Sequence, residues 1–397
     1  MKIAVYYNLP AGGAKRYIFE EAKILCRGHF IDVYTLSASD IAFCDLAPFT
    51  KNTFVYNFKK IKLLKFPFSR LNWIIQIADI YKMQQVLKKM AADIDKNNYD
   101  VILVNTCIYT EIPLFIKQLK TPVVYFAHSI QFKTGKKTEM NDLKLYRKII
   151  RRMFPDFGQR IYNSILDKKK TENIKNANMT LTVSKFLKEQ LTYYYKISAK
   201  VNYPGVDLKR FTQNTAFKKE NMVVSAGNLR PNKGYDFIIK SVSLIEKELR
   251  PCVGIAYNEG AESEKNYLIK LADLEGVEIK LFKDQDIVEI YNKARIVVVS
   301  SYYEGLGLVA LEAMACGVPV IGVNEGGIRE TILHEKTGFL LDRNPEKFAE
   351  AIKYLLVNEN AAKKYGEQGR KYVIENWTWE KSAGEMEKHF YDVIRNK

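Results

Sequence analysis

Histidine and cysteine are scarce in this chain, with four of the former and five of the latter among 397 residues. Cys26, Cys44, Cys107, Cys252 and Cys316 are odd in number, widely scattered, and form no Cys-x-x-Cys pair. That argues against a disulfide framework or a zinc site and suggests a reducing cytosol. No apolar run approaches the roughly 18–20 residues of a membrane-spanning helix. The opening Met1–Asn8 is too short and too soon interrupted for a signal peptide. The expectation is a soluble chain that can still touch a membrane. There is no short-period repeat, no low-complexity tract, and no RNP-like, helix-turn-helix or zinc-finger pattern, so nucleic acid is not an expected partner. No metal site is expected, and no Asp-x-Asp metal motif stands out.

What is present is ample core material, at 47% hydrophobic and 12% aromatic residues. The length fits two α/β domains better than one. The net charge of +17 is unevenly placed. Residues 1–200 hold 34 basic against 16 acidic residues, whereas residues 201–397 hold 28 against 29. The basic half is expected to meet something anionic.

Short apolar runs alternate with helical stretches along the whole chain. Strands are expected at Lys2–Tyr7, Ile31–Leu36, Val101–Val104, Val123–Phe126 and Met179–Val183. A second set follows at Met222–Ala226, Cys252–Tyr257, Val277–Phe282, Arg295–Ser300 and Val318–Val323. Buried strands separated by helices indicate doubly wound parallel sheets. Between the two sets, Tyr203-Pro204-Gly205-Val206-Asp207 reads as a turn and residues 212–221 as a linker. Domains are therefore placed at 1–207 and 208–378, with a last helix, Trp379–Arg395, belonging to neither sheet alone.

The most informative stretch is Glu304-Gly305-Leu306-Gly307-Leu308-Val309-Ala310-Leu311-Glu312. Glycines let backbone approach a ligand, and a helix start presents free N–H groups to phosphate. Carboxylates on either side can hold sugar hydroxyls. The fragment thus fits a ligand that is both anionic and polyhydroxylated. A rival reading exists, because Gly305-x-Gly307-x-x-Ala310 with Glu325 twenty residues on also fits a dinucleotide fingerprint. Against it, Ser301–Glu304 intervene before the first glycine, and the motif falls late in its half. Glycines serving only packing would leave Glu304 unexplained.

A second constellation is Gly227-Asn228-Leu229-Arg230-Pro231-Asn232-Lys233-Gly234, directly after the strand Met222–Ala226. Arg230 and Lys233 lie where open α/β sheets bind ligands, and two cations there could neutralise a diphosphate leaving group. The plain alternative is that both are solvated side chains near a turn.

Together these fragments resemble the family-four retaining glycosyltransferases of GT-B architecture, in which two Rossmann-like domains face a cleft. The resemblance includes Gly12-Gly13 after the first strand and Gly28-His29 before the second. It continues through Val183-Ser184-Lys185-Phe186-Leu187, Tyr203–Asp207 with Phe211, Lys233-Gly234, Glu304-x7-Glu312, Glu325-Gly326-Gly327 and Thr337-Gly338-Phe339. It implies that Glu312 holds the ribose, and that Glu304 with Gly305, Leu306, Gly307 and Leu308 holds the donor sugar. Lys233 would hold the diphosphate, with the helix after Gly13 pointing at it across the cleft. Lys283, in Phe282-Lys283-Asp284, lies where the family's backbone meets the base. His128 matches the histidine that reaches toward the donor sugar, orienting it rather than serving as a base, although a lone strand-end histidine is most often a polar cap. One departure stands out. The family's usual arginine after the phosphate-loop glycine is replaced by Asn228, and Arg230 is expected to reach the same oxygens. The resemblance implies a metal-independent reaction with no cofactor beyond the nucleotide-diphosphate sugar, UDP-sugar favoured and GDP-mannose second. The final helix is expected to pack back on the first domain.

Within the basic half, Leu143, Tyr146, Ile150 and Met153 form a helical stripe beside Lys144, Arg147, Lys148, Arg151 and Arg152. Lys59–Phe66 is a second basic and apolar mixture. Such stretches suit an anionic membrane surface, though a single helix of this kind is ordinarily core with a solvated face. The acceptor is then expected to be lipid-linked or a polysaccharide precursor, and the protein to sit peripherally on the cytoplasmic face. A polyanion-binding or non-catalytic partner protein on the same fold is the alternative.

Overall fold

Two all-parallel sheets account for the apolar runs. The computed structural model describes residues 1–37, 43–65, 68–130 and 157–396. The chain divides into two compact units, unit 1 (Met1–Thr182, Lys188–Asn202 and Ala383–Lys397) and unit 2 (Val183–Leu187 and Tyr203–Ser382).

Unit 1 carries seven strands: β1 (Lys2–Tyr6), β2 (Phe30–Leu36), β3 (Asn52–Tyr56), β4 (Val101–Asn105), β5 (Val123–Ala127), β6 (Met179–Thr182) and β7 (Lys200–Val201). Their order is β3-β2-β1-β4-β5-β6-β7, parallel throughout. A sheet covered on both faces by crossover helices needs apolar side chains on both, so alternation disappears. Every residue of β4 and β5 is buried, and each such Val or Leu contributes roughly 1.5–3 kcal/mol. The crossovers include α1 (Gly13–Leu25), α2 (Asn72–Lys96), α3 (Phe157–Lys175) and α4 (Lys185–Tyr195).

Unit 2 repeats the plan with β8 (Met222–Ala226), β9 (Cys252–Tyr257), β10 (Ile279–Lys283), β11 (Ile296–Val299), β12 (Val320–Val323) and β13 (Gly338–Leu341). The order is β10-β9-β8-β11-β12-β13, again all parallel. Its helices are α5 (Tyr235–Ser243), α6 (Glu262–Glu275), α7 (Ile287–Lys293), α8 (Leu308–Ala315), α9 (Pro345–Val357) and α10 (Glu359–Asn376). Helix ends are set locally: Asp286 accepts from Val288 N at 3.1 Å to open α7, and Asn344 accepts from Lys347 N at 2.7 Å ahead of Pro345 in α9. Residues 212–221 are tied into this unit, with Asn214 N donating to Asn292 and Lys219 Nζ to Ala294 O.

The last helix, α11 (Trp379–Arg395), begins among the residues of unit 2 and ends among those of unit 1. Within unit 1 its Glu387 pairs with His29 at 2.9 Å and its Asp392 with Lys200 at 3.1 Å. Among the described residues no helix is long and apolar enough to cross a membrane. All five cysteines are free.

Both sheets reverse strand order next to their first strand, between β1 and β4 in unit 1 and between β8 and β11 in unit 2. Crevices outside the carboxyl ends of such strands are where open α/β sheets take ligands.

Candidate functional site

In unit 2, the loops leaving β8 and β11 meet at the reversal. After β8, Tyr235 Oη donates to Gly227 O at 2.6 Å, and Leu229 N donates to Glu259 O at 2.7 Å. Pro231–Lys233 form a single 3-10 turn that delivers Lys233. Ser300 Oγ, just past β11, donates to the carbonyls of Lys233 and Gly234 at 3.0 and 2.9 Å. Tyr302 N donates to Asn232 O at 2.8 Å. These bonds fix the register of two loops far apart in sequence, and the result is an ion pair. Lys233 Nζ lies 2.8 Å from Glu304 Oε2, with side-chain exposures of 22% and 26%.

Burial by itself would raise the Glu304 carboxyl. The facing ammonium, its hydrogen bond, and further donors from Ser301 and the Gly305 backbone outweigh that and hold it below the ordinary glutamate value. Glu304 is therefore a carboxylate at neutral pH.

The chain then turns into α8. Gly307 opens that helix at φ +94°, a conformation costly for any residue with a Cβ. Leu306 is buried, while Leu308 and Glu312 are half-buried. Glu312 is the fifth residue of α8, so it lies just over one turn into the helix. A second turn, Glu325-Gly326-Gly327, packs on Glu304 and Gly305: Gly327 N donates to Glu304 O at 2.9 Å, and a Cβ at Gly327 would collide with the Gly305 carbonyl.

Sequence reasoning missed the residue that ties these turns together. Arg343, following β13, donates from Nε and Nη2 to the two carboxylate oxygens of Glu325 at 2.9 and 2.7 Å. Its Nη1 donates to Ser300 O at 2.8 Å, and its guanidinium stacks 3.6 Å from the centre of the Tyr302 ring. Nothing local in Leu341-Asp342-Arg343-Asn344-Pro345 signals this, since all its partners lie earlier in the chain.

The expected phosphate-loop cations differ in state. Arg230 is exposed and makes no ion pair with a described residue. Asn228 Nδ2 donates to Glu259 Oε2 at 3.3 Å. Lys283 sits exposed at the end of the edge strand β10, two strands from β8, and shares no hydrogen bond or ion pair with Lys233 or Glu304.

In unit 1, Gly12 precedes α1 at φ +141° and Gly13 is its first residue; Gly12 O accepts from Lys15 N and Arg16 N, both at 3.1 Å. His128, just past β5, is 8% exposed and stacks on Phe126 with ring centres 4.5 Å apart. Its Nε2 lies 3.0 Å from Asn105 Oδ1, and Asn105 Nδ2 donates to Tyr6 O at 2.9 Å. The second bond orients the amide, so Nε2 carries the proton and Nδ1 the lone pair. Burial lowers the His128 pKa to about 3, so the ring is neutral at physiological pH.

Lys144, Arg147, Lys148, Arg151 and Arg152 lie outside the described residues. The sequence holds two Asp-x-Asp triplets, and both have structural roles. Asp93 and Asp95 of α2 accept from Tyr56 and from Lys120 and Thr121, and Asp286 of Asp284-Gln285-Asp286 caps α7. Among the described residues no group of three or more His, Cys, Asp or Glu could hold a metal ion.

Two Rossmann-like units, each an all-parallel sheet with one reversal of strand order, define the GT-B class of glycosyltransferase fold. The chain belongs to Glycosyltransferase Family 4, whose model matches residues 11–210; the model for glycosyl transferases group 1 matches residues 207–372. It is similar to the GDP-mannose-dependent alpha-(1-6)-phosphatidylinositol monomannoside mannosyltransferase of Mycobacterium tuberculosis, at 29% identity over 229 residues, covering 51% of this chain and 59% of that protein. Among solved structures, the sucrose-phosphate synthase of Thermosynechococcus elongatus aligns over 100% of both chains with a TM-score of 0.74 at 19% identity. Anabaena HepE in complex with UDP and glucose aligns over 99% of this chain and 100% of its own, with a TM-score of 0.70 at 17% identity. The chain spans 57% to 60% of the length of the first curated relatives it matches.

Proposed function

We propose that the protein is a retaining glycosyltransferase that moves a sugar from a nucleotide-diphosphate sugar to a lipid-linked or polysaccharide-precursor acceptor. The observation that carries this reading is the Lys233–Glu304 pair at the reversal of unit 2, directly ahead of the glycine that opens α8. An ammonium there can neutralise the diphosphate as its charge grows on bond cleavage. Glu304, kept ionised, can accept from sugar hydroxyls, and Glu312 from the ribose. Lys233 and the backbone N–H groups around Gly305 and Gly307 would do the work of a metal ion. In a retaining transfer the leaving phosphate oxygen takes the acceptor proton on the face it departs from, so catalysis is positioning and charge stabilisation. Neutral His128, whose Nδ1 carries the lone pair, would orient rather than abstract.

UDP-sugars are the favoured donors. GDP-mannose is the second reading, supported by the mycobacterial relative. Work at the cytoplasmic face of a membrane is supported by the excess of basic residues in 1–200. A thermal-shift panel of UDP, GDP, ADP and their sugars tests the donor, because a ligand of the native state raises Tm by mass action. Hydrolysis of UDP- and GDP-sugars tests the activity. A protein that neither binds nor turns over any member of the panel would be a non-catalytic relative.

A further inference from the structure

Unit 1 contains a cavity of about 90 Å³ that the proposed donor site does not use. The segment after β3 supplies Phe58, Lys60, Ile61 and Leu63, α2 supplies Gln76 and Asp79, the loop after β4 supplies Tyr109, and α3 supplies Tyr162. It therefore opens on the side where β3 and β4 end.

Its polar groups are an unusual set. Asp79 is 9% exposed, yet its carboxylate makes no ion pair with a described residue. One oxygen accepts from Ile61 N at 3.0 Å. The nearby ammonium of Lys60 lies instead over the Tyr109 ring, 4.7 Å from its centre. Gln76 Oε1 is buried with no hydrogen-bond partner, which a folded protein rarely leaves without reason. Burial, with the Asp79 charge contributing, pushes the Tyr109 and Tyr162 phenols up, so both stay as hydroxyls. The Phe58 and Tyr109 rings meet edge to face at 5.1 Å, forming an aromatic wall.

The lining pairs one ammonium, Lys60, with one carboxylate, Asp79, and so offers no net charge for a free ion of either sign to neutralise. The set suits a neutral ligand rich in hydroxyls, able to donate to Asp79 and Gln76, accept from the phenols and lay C–H groups on an aromatic face. The volume suits the edge of one sugar ring.

We propose that this cavity is a saccharide subsite, gripping a sugar residue of the acceptor through Asp79 and Gln76. The assignment rests on the proposed function and narrows it, since an acceptor held here carries at least one sugar.

The test is saturation-transfer NMR of the full chain with methyl glycosides of glucose, mannose, galactose and N-acetylglucosamine. Two near-isosteric variants accompany it: Asp79→Asn, which can still accept from Ile61 N, and Gln76→Met. The expected result is millimolar binding of at least one glycoside, weakened tenfold or more in both variants, with the nucleotide thermal shift unchanged. Glycoside binding without any nucleotide shift would leave the subsite standing while the donor reading fell. No glycoside binding, or wild-type binding by both variants, overturns the proposal. So does octan-1-ol binding in place of the glycosides with the same dependence on Asp79 and Gln76.

Discussion

Lys233 and Glu304 face each other at 2.8 Å across the strand reversal of unit 2. The ammonium of Lys233 helps to hold the Glu304 carboxyl in its charged form, and each of the two is a group the proposed donor would engage. Lys233→Ala removes a cation from the diphosphate position and is expected to lower turnover of the donor by about 10²–10³-fold, a scale typical of deleting one transition-state charge contact. Glu304→Gln should cost activity similarly and destabilise by on the order of 1 kcal/mol at neutral pH. Its pH dependence follows from the lowered carboxyl of Glu304. A depressed folded pKa means the stabilisation is full above the ordinary glutamate value and fades as pH falls through the depressed one. Melting temperatures of wild type and Glu304→Gln should therefore differ by a constant amount above about pH 5 and converge as the pH falls below it. A difference that stays constant from that pH down into acid would remove the ion pair from the account.

His128 gives a prediction of a different kind. Its imidazole is buried and its pKa is lowered to about 3, so the unfolded chain binds a proton that the folded one refuses as pH falls below about 6.5. Stability should decline between that pH and the folded pKa, and His128→Gln should flatten the decline. Because the ring stays neutral, the pH profile of turnover should lack a limb near pH 6.5 that disappears in His128→Gln. Glutamine can still donate to Asn105, whereas alanine cannot, so His128→Ala should be the more damaging change by about tenfold.

How far the sequence reaches can be judged element by element. β8 and β9 are legible to the residue, because buried parallel strands are continuous apolar runs bounded by polar turns. β3 is not, since Asn52–Tyr56 is an edge strand of exposed and half-buried residues and reads as loop. β13 is four residues long and at the other edge, and β10 begins at Ile279 rather than at Val277, where its apolar run starts. The site shows the same division. Glu304, Glu312 and Lys233 stand in recognisable local patterns. Their pairing, the orientation of His128 by Asn105, and the grip of Arg343 on Glu325 come from tertiary contacts between distant segments, which periodicity cannot register.

Arg343 is expected to act as a positioning residue for the Glu304 turn. A lysine keeps the charge but loses the planar fork that reaches Glu325 and Ser300 together. Arg343→Lys should therefore lose about 1–3 kcal/mol of stability. A double-mutant cycle with Glu325→Gln should show coupling of at least about 0.5 kcal/mol. If the turn is what Arg343 supports, the variant's donor KM rises while the binding of acceptor is untouched. Additive single effects would deny the coupling.

Gly327 tests the same turn sterically. A methyl group there meets the Gly305 carbonyl, and Gly327 N is itself bonded to Glu304 O, so the two turns cannot easily separate. Gly327→Ala should abolish the nucleotide thermal shift while the far-ultraviolet circular dichroism keeps its α/β shape. A variant that binds nucleotide as wild type would show that Glu304 and Gly305 are not part of the donor site.

The last prediction concerns the departure at Asn228. Its amide is engaged with Glu259, and the neighbouring Leu229 is buried and backbone-bonded to the same residue, so the chain at 228 is anchored. Arg230 follows as an exposed guanidinium with no ion pair among the described residues. If it has taken over the family's arginine contact, Arg230→Ala should lower kcat/KM for the donor by about 10–100-fold, one charge-assisted contact being worth about 1.5–3 kcal/mol. The loss should shrink as salt rises, because an exposed charge is screened. Asn228→Arg placed on that background should restore most of the activity from the neighbouring backbone position. An Arg230→Ala enzyme as fast as wild type at low salt would end the substitution argument, leaving Lys233 as the cation that meets the diphosphate.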